Sequence, residues 1–195
     1  MENGSRKIGL RVAAGFLVAV IIIVAVFASG IQLPSTKIET GRLTVLLKDA
    51  PVELEELWIN ITALGVHRVG GEDGGWITLD FSGEADFLYF DLLEYQNGEV
   101  LDLASVEIAT GTYNKIRMMI ENAKAIKTND EIIDPLKVPP GHIDVITKFE
   151  IKNGGNVVVL IDMQPDWVAI SNNNSLRPVL KASISQQPPT PQGGQ

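Results

Sequence analysis

The most constraining feature of this chain is a long alternation of apolar and polar residues with a period of two. In His142 to Ile151, every second residue from Ile143 onward falls on one face, and the residues between them fall on the other. This spacing is typical of a β-strand that is buried on one face only. Related patterns predict five further strands, at Arg42–Lys48, Leu54–Val69, Gly75–Phe81, Phe87–Leu93 and Asn114–Ile126. The nearly continuous apolar run at Val157–Met163 predicts one more strand, buried on both faces.

Turn signals separate these segments, and they contain the glycine and asparagine that accept positive φ at little cost. They lie at Gly70-Gly71, Gly74-Gly75, Asn97-Gly98, Gly111, Pro139-Pro140-Gly141 and Asn153-Gly154-Gly155. Short strands with such spacing predict an all-β fold, an antiparallel β-sandwich of seven to nine strands over residues 41–185. The hydrophobic content of 45% is enough for one core.

The N-terminus carries a separate signal. Residues 12–31 form a run of twenty apolar or small residues, which is long enough to span a bilayer. The basic flank, residues 1–11, contains Arg6, Lys7 and Arg11 and favours a cytoplasmic N-terminus. We therefore predict a single-pass transmembrane signal-anchor, a linker at 32–40, the β-sandwich outside the cell membrane, and a disordered Pro/Gln/Gly tail at 186–195.

Two alternatives for this segment stay open. Cleavage after Ala28 would make the protein secreted. A pilin-like leader, with Lys7-Ile8-Gly9 before Leu10, would make the apolar helix the core of a surface filament.

Composition excludes several functions. The chain has no cysteine, so thiol catalysis, disulfides and cysteine-ligated metals are absent. Its net charge is −8, and since Glu2, Arg6, Lys7 and Arg11 together contribute +2, the remainder carries −10. A domain this acidic repels phosphate backbones, so we expect no nucleic-acid partner. No triad elbow, zinc motif or phosphate loop is seen, and we expect no enzyme activity.

Several motifs, in order, resemble one known family. They are "GRLTVLLKDAP" at Gly41–Pro51, Gly75-Trp76, Asp91-Leu92-Leu93, Asn97-Gly98, Gly111-Thr112-Tyr113 with Ile116-Arg117, and Leu176-Arg177-Pro178-Val179. Together they resemble the family of domain of unknown function 4382, over about Gly41 to Ile184. The resemblance implies an exported prokaryotic β-sandwich of the transthyretin or carboxypeptidase-regulatory kind, and no activity. Lys48 replaces a common threonine, and Gln164 replaces one member of a late acidic pair that Asp162 retains, which weakens any metal role for that pair.

Acidic residues between Gly71 and Asp91 are the candidate metal ligands, because calcium prefers oxygen donors. The predicted calcium ligands are Glu72, Asp73, Glu84 and Asp86, although the "GGEDGG" stretch also reads as an exposed hairpin tip. No other cofactor is expected. The two histidines, His67 and His142, lie at strand ends without a metal-binding motif.

Aromatic and polar residues supply the remaining candidates. Trp58, Trp76 and Trp167 are suited either to a sugar-stacking platform or to core packing, and Trp167 is the predicted carbohydrate residue because it precedes a polar loop. Two sequons predict glycosylation at Asn173 and at Asn60. Asp49, directly before Ala50-Pro51, has no catalytic partner at a readable spacing and predicts a corner between strands.

These observations predict a membrane-anchored extracytoplasmic module that binds a ligand or builds a surface structure without catalysis. The alternatives are a filament subunit and a carbohydrate- or calcium-binding domain. The expected partners are the membrane, through the N-terminal helix, and a surface protein or glycan.

Overall fold

The structure, a computed structural model, describes residues 38–49, 52–70 and 75–187, without the side chains of Trp167, Val168 and Ser171. The described residues form ten strands: β1 (Thr40–Asp49), β2 (Leu54–Arg68), β3 (Trp76–Leu79), β4 (Leu88–Asp91), β5 (Leu101–Ala109), β6 (Gly111–Lys127), β7 (Ile132–Ile133), β8 (His142–Ile151), β9 (Asn156–Gln164) and β10 (Val179–Gln187). Short 3₁₀ turns at Ser82–Glu84 and Leu92–Tyr95 and a helix at Trp167–Asn173 interrupt them.

The strands form two sheets, which confirms the all-β prediction. One sheet has four strands in the order β10-β9-β1-β5. The other has six: β3-β2-β6-β7, with β4 also on β2 and β8 also on β6. Buried side chains from both sheets join in one hydrophobic core, which gives the domain a sandwich-like organisation.

Two details of the predicted sandwich are wrong. The described chain has ten strands rather than seven to nine, and β1 runs parallel to β9, so the pairing is not antiparallel throughout. β1 and β9 are far apart in sequence, and residue alternation fixes which face is buried but not the direction of a distant neighbour. β10 continues to Gln187, so the strand overlaps the predicted tail at 186–195 by two residues.

Alternation works as expected on the central strand β2. Leu57, Ile59 and Ile61 are fully buried, while Trp58 and Asn60 lie half-buried on the opposite face. The register of β2 against β6 shifts at Asn60/Ile61 and again at Ile61/Ala63, after which Leu64 and Val66 point into the core. A bulge of this kind restores the buried face after an extra residue. The outer face of β2 therefore continues through Gly65 and His67.

Two buried acids, Asp49 at the end of β1 and Asp91 at the end of β4, accept hydrogen bonds from neighbouring segments. Asp49 ends β1 with 5% of its surface exposed, and its Oδ2 accepts a hydrogen bond from Gln96 Nε2 at 2.7 Å. Asp91 Oδ1 accepts from the backbone N–H of Leu57 at 2.9 Å and of Leu93 at 3.0 Å. Asp91 thereby fixes the end of β4 to β2. Ala50 and Pro51, the rest of the predicted corner, lie outside the described residues.

The predicted basic flank, transmembrane segment and most of the linker also lie outside the described residues. Within the part of the chain that the structure describes, no helix has the length and apolar character needed to cross a membrane.

Candidate functional site

The outer face of the six-stranded sheet brings together side chains from four strands. The register places Thr78 of β3, Gly65 of β2, Arg117 of β6 and Asp144 of β8 in one row across the sheet. The next row on the same face contains Trp76, His67 and Lys115. Residues two apart on a strand share a face, so these rows form a continuous surface.

A shallow hollow of about 190 Å³ lies on this surface. Trp76 of β3, Gly65 of β2, and Arg117 and Met119 of β6 are among the residues that line it, with β2 between β3 and β6. A Cβ atom at residue 65 would lie 3.6 Å from Cε3 of Trp76 and 3.3 Å from the Ile77 carbonyl oxygen. The hollow therefore depends on the missing side chain of Gly65.

Trp76 is held by contacts but stays accessible. It is 38% exposed, and the edge of the His67 ring meets it with centroids 5.3 Å apart at 70°. The guanidinium carbon of Arg117 lies 4.5 Å from the centroid of a Trp76 ring, which is cation–π distance. His67 Nδ1 is 2.8 Å from Oδ1 of Asn114, which restrains the imidazole. Trp76 is thus a positioned aromatic surface at the edge of the hollow.

Asp144 organises the cations of this site. Its two carboxylate oxygens accept hydrogen bonds from Arg117 Nε at 2.6 Å and Nη2 at 2.9 Å. Lys115 Nζ lies 3.3 Å from Oδ2, and His142 Nε2 lies 4.0 Å from Oδ1. The hydrogen bond from Arg117 is the main cause that holds the pKa of Asp144 below its usual value, with Lys115 adding to it. Bidentate Arg–carboxylate pairs of this kind fix the guanidinium orientation.

The lowered pKa of Asp144 predicts a specific pH dependence. Asp144→Asn is expected to lower the free energy of unfolding by about 1 kcal/mol at pH 7, because the pair is only partly shielded from solvent. The folded-state pKa lies below the unfolded one, so this contribution is full above the ordinary carboxyl pKa and is lost as pH falls through the lowered value. Urea unfolding of both proteins across acid and neutral pH measures it, with Glu99→Gln, an exposed carboxylate, as control. A difference that stays constant or grows in acid would contradict this role for Asp144.

A second aromatic group lies at the other end of the same face. The rings of Trp58 and Tyr89 stack with centroids 5.0 Å apart and planes at 24°. Trp58 Nε1 donates to Glu56 Oε2 at 2.6 Å, and Tyr89 is 52% exposed. Both tryptophans whose side chains the structure describes therefore lie on the outer face of the six-stranded sheet.

A protein-family model described as domain of unknown function (DUF4382) matches residues 40–178, which is well over half of the chain. The chain belongs to the DUF4382 family. The match confirms the resemblance carried by Gly41–Pro51 and the later motifs. No curated protein and no solved structure matches the sequence.

Lys48 contacts Asp162, the remaining member of the late acidic pair. Lys48 on β1 lies opposite Asp162 on β9, and Lys48 Nζ is 3.0 Å from Asp162 Oδ2. The lysine therefore supplies a positive charge beside the retained acid.

The predicted calcium ligands are only partly described in this DUF4382 domain. Glu72 and Asp73 lie outside the described residues. Glu84 and Asp86 line a cleft of about 520 Å³, together with Asp80. Among residues 38–49, 52–70 and 75–187, no group of three or more histidine and acidic side chains is arranged to hold a metal ion. Calcium binding through the full predicted set stays a prediction.

The remaining predicted residues of the DUF4382 domain have different surroundings. Trp167 begins a helix, and its side chain is not described, so its predicted carbohydrate contact stays a prediction. Asn173 ends that helix and is exposed. Asn60 is half-buried, and its Nδ2, the atom to which a glycan would attach, donates to Glu121 Oε2 at 3.2 Å. Glycosylation at Asn173 and at Asn60 stays a prediction.

Gly65, Arg117 and Asp144 were not predicted as site residues. The alternation does place Arg117 on the outer face of β6 and Asp144 on the outer face of β8, as the structure shows. Their meeting with Trp76 depends on which strands are neighbours and in what register. Gly65, inside the predicted strand Leu54–Val69, is the one signal in the sequence, because glycine in a strand often marks a close approach.

Proposed function

We propose that this protein is a non-catalytic glycan-binding module held at the cell surface. In this proposal the apolar run at 12–31 anchors the chain in the membrane, and the sandwich, of the transthyretin-like kind, projects outside. The ligand occupies the outer face of the six-stranded sheet.

The observation that carries the proposal is the hollow lined by Trp76 and Arg117. Ligand sites combine an apolar or aromatic surface with a few placed polar groups. Here the accessible Trp76 ring gives the aromatic surface, and Arg117, fixed by Asp144, gives the polar group. At about 190 Å³ the hollow is smaller than the pockets that take drug-sized ligands, and its open form suits one unit of a longer chain. An aromatic face beside oriented hydrogen-bond donors is an arrangement suited to a sugar ring.

Glycan binding by the purified full-length protein tests this function. On an array of neutral and charged polysaccharides, the wild-type protein is expected to bind at least one class, and Trp76→Ala is expected to reduce that binding at least tenfold, since the stacking surface is lost. Ile132→Ala removes an exposed apolar side chain from β7 and serves as the matched control that keeps full binding. Binding to no glycan, or equal binding by both variants, would contradict the proposal.

A surface assembly is the second candidate, and the edge strand β10 favours it. Within the described chain β10 pairs only with β9, and Val179 and Ile184 on it are exposed. An edge strand with free backbone groups can accept a strand from a neighbouring molecule. Filaments in electron micrographs of native surface extracts would favour this candidate over a tethered monomer.

A further inference from the structure

Two cationic side chains, Arg117 and Lys115, lie beside Trp76 in a domain whose net charge is negative. Arg117 lies 4.5 Å and Lys115 Nζ 5.9 Å from a Trp76 ring centroid. Asp144 is the carboxylate paired with both cations, so the three groups together keep one positive charge. The chain beyond its N-terminal basic flank carries −10. A local positive group on a negative surface indicates a ligand that brings its own negative charge to this point.

The guanidinium group of Arg117 is oriented before any ligand arrives. Its bonds to Asp144 use Nε and Nη2, and the edge of the planar group that carries Nη1 is not used by this pair. An arginine held in this way loses little conformational freedom on binding. The fork geometry of guanidinium matches a carboxylate better than a single hydroxyl group.

The neighbouring cleft limits the chemistry of the ligand unit next to the charged one. It shares Ala63 and Thr78 with the hollow, so the two depressions adjoin on β2 and β3. Asp80, Glu84 and Asp86 line the cleft, and they would repel a second acid placed there. A chain that enters both depressions therefore carries its acid at the Arg117 end and a neutral unit at the cleft.

We propose that this site binds a polysaccharide in which a uronic acid alternates with a neutral sugar. The uronic acid ring packs against the part of the Trp76 ring that Arg117 and His67 leave exposed, its carboxylate binds Arg117 and Lys115, and the adjoining neutral sugar lies toward Ala63 and Thr78. The inference rests on the proposed glycan-binding function and adds the chemical class of the ligand. An acidic peptide would satisfy the cations but would not supply a ring for Trp76, so the test includes one.

Calorimetric titration of the full-length protein with hyaluronan, an alternating uronate polymer, tests the inference. Hyaluronan is expected to bind at least tenfold more tightly than the same polymer after carboxyl reduction, and the difference should shrink as salt rises. Lys115→Gln is expected to weaken binding several-fold while leaving the melting temperature within a few degrees, since Lys115 is partly exposed and a partly exposed ion pair adds little stability. Lys181→Gln, an exposed lysine on β10, is the matched control and should bind like the wild type.

Three outcomes would overturn the uronate assignment. Equal binding of the carboxyl-reduced polymer would show that the ligand needs no carboxylate, and it would leave the proposed glycan binding intact. Equal binding of polyglutamate would show that the ligand needs no sugar ring. Unchanged hyaluronan affinity in Lys115→Gln would show that Lys115 does not contact the ligand. Failure of the broader proposal is distinguishable, because then no polysaccharide on the array binds at all.

Discussion

Replacing Asp91 by alanine is expected to lower the free energy of unfolding by about 2–4 kcal/mol. Asp91 is 8% exposed, and its Oδ1 accepts the backbone N–H groups of Leu57 and Leu93. The alanine variant leaves the buried Leu57 donor without this partner, and a donor buried without a partner loses the bond it would make with water. For a chain of this size the loss corresponds to about 4–16 °C in melting temperature.

Asp91→Asn is the matched control for this prediction. It keeps an oxygen at Oδ1 and removes only the charge, so it is expected to cost about 1 kcal/mol. Urea unfolding followed by circular dichroism measures both variants against the wild type. If alanine and asparagine destabilise the protein equally, the two hydrogen bonds are not what holds β4 on β2.

The sequence predicted the strands with regular alternation and missed those without it. β5 was missed because Leu103 and Ala104 are adjacent and both fully buried, where the register between β1 and β5 shifts and Leu103 is the extra residue on β5. β10 was missed because an edge strand with mostly exposed residues has no apolar face to mark it. β7 was also missed, because its two residues are too few to show an alternation. In all three strands the residue pattern does not mark the hydrogen bonding.

For the Val157–Met163 run, the sequence pattern predicts more burial than the structure shows. Its near-continuous apolar character predicts a strand buried on both faces. In β9, Val157, Val159, Ile161 and Met163 are buried, while Val158 and Leu160 are half-buried on the outer face. A central position between β1 and β10 favours apolar residues even on the face that solvent reaches.

The candidate site was predictable in its parts and not in its assembly. Trp76 was among the aromatic candidates, and alternation put Arg117 and Asp144 on outer faces. Their contact requires that β2 lie between β3 and β6 and that Gly65 stand opposite both Thr78 and Arg117. Register over such distances is set by the packing of the whole sheet, which local patterns do not encode.

Filling the hollow is the prediction with the largest expected effect on function. Gly65→Val puts a branched side chain between Trp76 and Arg117 on an outer strand face, where valine is favoured over glycine. The added Cβ meets the Ile77 carbonyl oxygen at 3.3 Å, and β3, at the edge of the sheet, can shift by a few tenths of an ångström to admit it. We expect the variant to fold and to bind glycan more than tenfold less tightly, a loss of at least about 1.4 kcal/mol of binding free energy.

The most direct test of glycan binding in the hollow is a parallel calorimetric titration of the wild type, Gly65→Ala and Gly65→Val with the polysaccharide that binds best on the array. Thermal melting of each protein confirms that it is folded. We expect a graded loss of affinity, small for alanine and more than tenfold for valine, with melting temperatures within a few degrees of the wild type. Wild-type affinity in a folded Gly65→Val protein would show that the glycan does not bind in the hollow beside Trp76.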